Sequence, residues 1–218
     1  MSTPFISQTQ YGKNEVFGLQ VSRGQIQGHT AVIVFGYNPD VDTAEESVWP
    51  DGGTVPHPTV ASVLKVSSSS ANDTSAGTGA RTVYIEGLNG DYAVVSETIT
   101  LNGQTAVNTV NSYLYVNAFY VLTVGSGGVN AGDINAGTGV VTAGVPAVLY
   151  DLIATGYNNR TTGHYCVPAG YTAYMVQGLF SAGQASGTTA VTGFLKQHGP
   201  DGILRVGAVS TVNNSAAD

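Results

Sequence analysis

Apolar and polar residues alternate along much of this chain with the period of two that marks half-buried β-strands. The pattern is densest over residues 80–125. Residues 82–86 form one apolar-rich run, 92–101 a second, and 113–124 a third that is rich in Tyr, Val, Leu and Phe. Asn89-Gly90 separates the first two runs, and Asn102-Gly103 closes the second. Asn-Gly suits turn positions that need positive φ, and between two β-prone runs it is the strongest short-range hairpin signal. The stretch therefore predicts three strands of one antiparallel unit, with a short polar link before the third.

The same reading extends in both directions. Residues 15–22, with Val16, Leu19 and Val21 apolar, predict a first strand, and 29–37 predict a compact strand of buried type. Further strands are expected at 59–67, 140–147, 149–157, 163–167, 171–181, 188–197 and 203–212. Long loops of small residues are expected at 67–79 and 125–139. The best helical candidate, 43–48, is a single turn. About a dozen short strands punctuated by glycine turns predict an all-β sandwich or barrel. One echo appears: Asp73-Thr-Ser-Ala-Gly-Thr-Gly-Ala-Arg-Thr82 matches Asp133-Ile-Asn-Ala-Gly-Thr-Gly-Val-Val-Thr142 at six positions. Two copies are too few for a solenoid. They fit two similar loops that each lead into a strand, or a chance match in a Gly/Ala/Thr-rich chain.

Composition narrows the function classes. Only 10% of the 218 residues are charged, against about 25% in an average soluble domain. Lys and Arg number 7 and are scattered, and the net charge is −7, so there is no electrostatic footprint for nucleic acid. No run of apolar residues is long enough for a membrane-spanning helix. The first residues, Met1-Ser-Thr-Pro-Phe5, lack the basic and apolar regions of a secretory signal. The single cysteine, Cys166, excludes an intrachain disulfide, and it reads as a buried, inert thiol in a reducing cytoplasm.

Candidate chemistry is sparse. Residues 38–53 hold Asp40, Asp42, Glu45, Glu46 and Asp51 together with the only tryptophan, Trp49. Clustered carboxylates can bind calcium. The spacing lacks the central Gly and terminal Glu of a helix-loop-helix calcium site. The plainer expectation is a solvated acidic loop with Trp49-Pro50 packed over a strand edge. Gly77-Thr-Gly79 and Gly137-Thr-Gly139 lack the third glycine and the helix of a dinucleotide site. His29, His57, His164 and His198 form no ligand-spaced pair. Glu86 and Glu97 could be proposed as a glycosidase-type pair, but outward polar positions on alternating strands are the simpler reading. Three glycosylation-acceptor triplets, at Asn72, Asn159 and Asn213, read as chance matches. Tyr113, Tyr115, Tyr120, Tyr165, Tyr171 and Tyr174 sit on strand patterns, either at core edges or at interfaces. No catalytic, cofactor or metal residue is assigned, and no enzyme is expected.

Three segments carry a resemblance: Ala76-Gly-Thr-Gly-Ala-Arg-Thr-Val-Tyr-Ile-Glu-Gly-Leu88, Val95-Ser-Glu-Thr-Ile-Thr-Leu-Asn-Gly103 and Gly125-Ser-Gly-Gly-Val-Asn-Ala-Gly132. Val167-Pro-Ala-Gly-Tyr-Thr-Ala-Tyr174 and Gly202-Ile-Leu-Arg-Val-Gly207 fit the same pattern. Together they resemble virion structural proteins of tailed, especially marine, bacteriophages, over roughly residues 30–212. The resemblance implies a jelly-roll-like antiparallel β-sandwich and a non-enzymatic role on the particle. The expected organisation is a polar N-terminal arm over 1–14, one β-sandwich domain over 15–212 and a polar tail over 213–218. The implied function is a capsid decoration or cement protein. Its partners would be the major capsid protein and itself, as a homotrimer, within a virion assembled in the bacterial host cytoplasm. A tail, collar or fibre-base component and a carbohydrate-binding β module are the alternatives.

Overall fold

The densest alternation forms a sheet of its own. In the computed structural model, which describes residues 16–183, 189–199 and 203–214, one short helix precedes nine strands. They are α1 (Phe17–Ser22), β1 (Ser62–Ser68), β2 (Ala80–Leu88), β3 (Val94–Thr100), β4 (Val107–Tyr113), β5 (Tyr115–Val124), β6 (Ile134–Thr142), β7 (Val145–Ile153), β8 (Thr189–His198) and β9 (Leu204–Asn214). All ladders are antiparallel. A four-stranded sheet runs β4-β1-β6-β7, a three-stranded sheet runs β3-β2-β5, and β8 pairs with β9. The expected three-strand unit is the second of these sheets. The fold class is the expected one: 42% of the described residues are strand, 3% are helix, and the sheets pack as a sandwich. The connections β1–β2, β3–β4, β4–β5 and β5–β6 each pass from one sheet to the other.

Period-two side chains explain the packing. On β2, Val83 and Ile85 point inward and are fully buried, while Tyr84 and Glu86 point outward. Their inner-face neighbours are Ile99 on β3 and Phe119 on β5. From the other sheet come Leu64 and Val66 of β1, Ile134 and Ala136 of β6 and Ile153 of β7. A smaller cluster seats Trp49 against Leu149 and Leu152 on β7, the edge strand. The expectation for Trp49 therefore holds, and its indole Nε1 donates to the Gly52 carbonyl.

The chain divides into two compact units, Met1–Ala173 and Tyr174–Asp218. The two-sheet sandwich lies within 62–153, and β8 and β9 pair only with each other among the described strands. The sandwich is thus narrower than the expected span of 15–212. The expected arm, residues 1–14, lies outside the described residues, as do 215–218 of the tail.

Several local expectations are corrected. Residues 17–22 form a helical turn, not a strand, and the Val16 carbonyl accepts the Leu19 and Gln20 N–H groups locally. Residues 29–37 are neither strand nor buried, and Ile33 is 93% exposed. Tyr37 N–H alone reaches a distant carbonyl, that of Thr161. Most of the polar link expected before residue 113 is strand β4, which runs on to Tyr113, the first residue of the expected third run. The expected strand at 140–147 contains a two-residue turn, Ala143-Gly144, with φ of 49° and 82°. Positive φ at both central residues is the twist-matched hairpin turn. The second copy of the echo lies largely within β6, so only the first is a loop. Residues 163–167 and 171–181 are not strands. The Asn89 turn does join β2 to β3, but as a longer loop in which Asn89 Oδ1 accepts the Asp91 and Ala93 N–H groups. Tyr92, not the Asn-Gly pair, takes the left-handed conformation there.

Candidate interface surfaces and the clasps of the sandwich

Three polar clusters, two buried and one half-buried, hold the sandwich, and each sits where the chain changes sheets. At the β3–β4 side, Glu97 faces inward, opposite Ile85. Strand β4 carries extra residues against β1 between Val63 and Lys65, which frees backbone groups. Glu97 accepts the Val110 N–H at 2.8 Å, the Asn111 N–H at 2.9 Å and the Tyr113 hydroxyl at 3.1 Å. Thr109 Oγ1 accepts the Leu64 N–H. Burial and the neighbouring Glu97 charge push the Tyr113 hydroxyl well above its ordinary range. The outward reading of Glu97 is therefore wrong. It lies on the opposite face of the sheet from Glu86, whose carboxylate accepts the Tyr84 hydroxyl. The two carboxylates make no catalytic pair.

At the β5–β7 side, Asp151 is fully buried on β7 and Arg160 is 6% exposed. Arg160 Nε lies 2.6 Å from Asp151 Oδ2. The guanidinium also donates to the Asn117 carbonyl of β5 at 2.9 Å and to the His164 carbonyl at 3.2 Å. Asp151 Oδ1 accepts the Thr162 hydroxyl and the Leu152 N–H. Burial pushes the Asp151 carboxyl up from its ordinary range, while Arg160 and these hydrogen bonds pull it back. Burial and the Arg160 charge hold His164 down at about 4. The Asn117 side chain pairs with both backbone groups of Cys166, which seats 158–166 along β5.

The third cluster ties the loops. Asp73 is buried and accepts from the Ala80, Ala131 and Gly132 N–H groups and from the Ser68 hydroxyl, at 2.6–2.9 Å. These four bonds bring the start of β2, the end of β1 and the entry to β6 to one carboxylate. Sequence reasoning named none of Asp73, Asp151 or Arg160 as special. The one available signal was an isolated Asp inside the apolar run Leu149-Tyr-Asp-Leu-Ile153.

The other sequence candidates stay apart or serve structure. His57 stacks on Tyr115 with ring centroids 4.5 Å apart. His57 and His164 line one pocket of about 10 Å³, room for a single water at most. His29 meets Phe17 edge-on, and His198 is on β8. Asp40, Asp42, Glu46 and Asp51 line a cleft of about 230 Å³. Glu46 spends its carboxylate on the Asp42 and Gly53 N–H groups, which hold it below its ordinary range. Burial and nearby Asp133 push Asp51 up. Among the described residues no three metal-ligating side chains converge. Cys166 is half-buried, and burial pushes its thiol up, away from the reactive thiolate. Among the described residues no helix is long and apolar enough to cross a membrane.

Uncovered apolar surface is the conspicuous feature outside the sandwich. Val32, Ile33, Val34 and Phe35 form one stretch, and Met175, Val176 and Leu179 belong to another. On the hairpin, Phe194, Leu195, Val206 and Val209 are all exposed. Tyr171 and Tyr174 are exposed, whereas Tyr113 is core and Tyr120 stacks on Tyr84. No family model matches this chain, and no curated protein or solved structure matches it either.

Proposed function

We propose that this protein is a structural component of a bacteriophage virion. In this reading it is a capsid decoration, or cement, protein on the outer surface of the head that stabilises contacts between capsomers. Its partners are the major capsid protein and further copies of itself, as a homotrimer, and it is located in the particle. The observation that carries the reading is the set of apolar, nearly charge-free stretches left uncovered in the single chain, at 32–35 and 174–180. Contiguous exposed apolar surface marks sites that other proteins cover. Few lysines and many neutral polar residues make such a surface easy to desolvate.

The interior supports the same reading. Glu97, Asp73 and the Asp151–Arg160 pair are committed to holding strands together, as befits a rigid scaffold. Several weak contacts from one oligomer add as avidity on a repeating shell. The test is a copy-number measurement on purified particles, followed by heating of particles that lack the protein. Many copies, in proportion to the capsomers, and early rupture of the depleted particles are expected. A handful of copies at one vertex would assign the protein to the tail or collar. Equal heat resistance of depleted and complete particles would sink the cementing role.

A further inference from the structure

We propose that His164 is an acid-sensitive latch: its protonation releases residues 157–166, a strap along the edge of β5, while the two-sheet sandwich stays folded. The inference needs no partner and does not rest on the role on a shell.

Strand β5 is an outer strand of its sheet, with β2 on one side. The strap runs along the other side. The Val121 N–H donates to the Asn158 carbonyl at 2.8 Å and the Arg160 N–H to the Phe119 carbonyl at 2.9 Å, and Tyr120 and Asn159 form a bridge. The strap thus covers a strand edge whose bare donors and acceptors would template pairing with another chain. It makes no regular ladder of its own. Side chains seat it instead: Arg160 reaches Asp151 and the Asn117 carbonyl, and the Asn117 side chain grips Cys166. A segment held by a few local bonds opens at lower cost than the core strands beneath it.

His164 sits inside this grip. Its Nε2 lies 3.4 Å from Arg160 Nη2. A guanidinium only donates, so this contact assigns Nε2 as acceptor and the ring as neutral, with its proton on Nδ1. Protonation of Nε2 removes that acceptor and sets a second cation beside Arg160. Across a small cavity the ring faces His57 from the segment before β1, Tyr113 of β4, Tyr115 of β5 and Tyr150 of β7. None of these is a carboxylate. Asp151, the acid of the cluster, is already engaged with Arg160, Thr162 and the Leu152 N–H. The cavity of about 10 Å³ holds one water at most, so a charged ring finds no hydration there. It reaches water only when the strap lifts, and Arg160 lifts with it.

The direction with pH follows. Burial and the Arg160 charge outweigh the favourable Val116 backbone and lower His164 from 6.5 to about 4 in the closed strap. The open form therefore binds more protons between those values, and acid favours opening. Asp151 runs the opposite way, because burial raises its carboxyl and a proton there favours the closed form.

The test is amide exchange on the full chain, resolved by residue and corrected for the intrinsic rate at each pH. From pH 7 to pH 4, opening at Val121, Arg160 and Cys166 should rise roughly tenfold to a hundredfold, while the β2 amides keep their protection. His164→Gln should match wild type at pH 7 and lose this acid response. In the wild type, the His164 ring signal should titrate together with the opening, a readout that stands even where the variant fails to fold. Strap protection unchanged from pH 7 to pH 4 overturns the proposal. So do equal losses in the strap and β2, an undiminished acid response in His164→Gln, or a ring that titrates while the strap amides stay protected.

Discussion

Replacing Arg160 with Met tests the central energetic argument. The change removes the guanidinium 2.6 Å from Asp151 and its bonds to the Asn117 and His164 carbonyls. Asp151 stays fully buried and loses its compensating charge. Breaking one partner of a buried pair costs about 3–5 kcal/mol, because the other charge is left unpaired. For a chain of 150–250 residues each kcal/mol lowers Tm by roughly 2–4 °C, so the loss should be roughly 6–20 °C. Thermal melts followed by circular dichroism at neutral pH read it directly. The companion is the double variant Asp151→Asn with Arg160→Met, which keeps the shape and removes both charges. It should melt higher than Arg160→Met alone, since the pair is coupled. A melting point for Arg160→Met within about 2 °C of wild type would refute the clasp. So would a double variant as unstable as the sum of the two singles.

Three other outcomes follow from the same structure. His164 titrates at about 4 in the fold against an ordinary 6.5, so the unfolded chain binds more protons between those values. Stability is therefore complete above about pH 6.5 and falls by at most about 3 kcal/mol as pH drops to 4, and His164→Gln should flatten urea midpoints across that window. Asp73→Ala orphans three backbone N–H groups and a hydroxyl, and should cost about 3 kcal/mol or more in urea unfolding. Gly144 and Gly156 share a φ of 82°, but a Cβ on Gly144 would clash with the Ser68 carbonyl oxygen while Gly156 faces open space. Gly156→Ala should cost only the left-handed strain of about 1–2 kcal/mol, and Gly144→Ala well beyond it, by the same unfolding measurement.

Local pattern was enough to read the strands whose alternation matches a real core face. Residues 82–86 and 92–101 became the β2–β3 hairpin because Val83, Ile85 and Ile99 share one buried side, and a slip of one residue would expose them all. Residues 188–197 and 203–212 became β8 and β9 for a local reason too, since each strand's ladder is made by its neighbour along the chain. The low charge and the seat of Trp49 were likewise legible. Pattern could not distinguish a strand from an apolar stretch without an edge to pair with. Residues 29–37 read as buried strand and are exposed, because strand formation is settled by a neighbour's free backbone, which no local window contains. The polar run of β4 was invisible for the converse reason: its ladder is made by β1, some forty residues earlier, and its loosened N–H groups by Glu97. Most of all, the clasps belong to the tertiary structure. Asp73, Glu97, Asp151 and Arg160 are ordinary polar residues along the chain, and only the crossing of two sheets buries Asp73, Asp151 and Arg160, half-buries Glu97 and brings their hydrogen-bond partners to them.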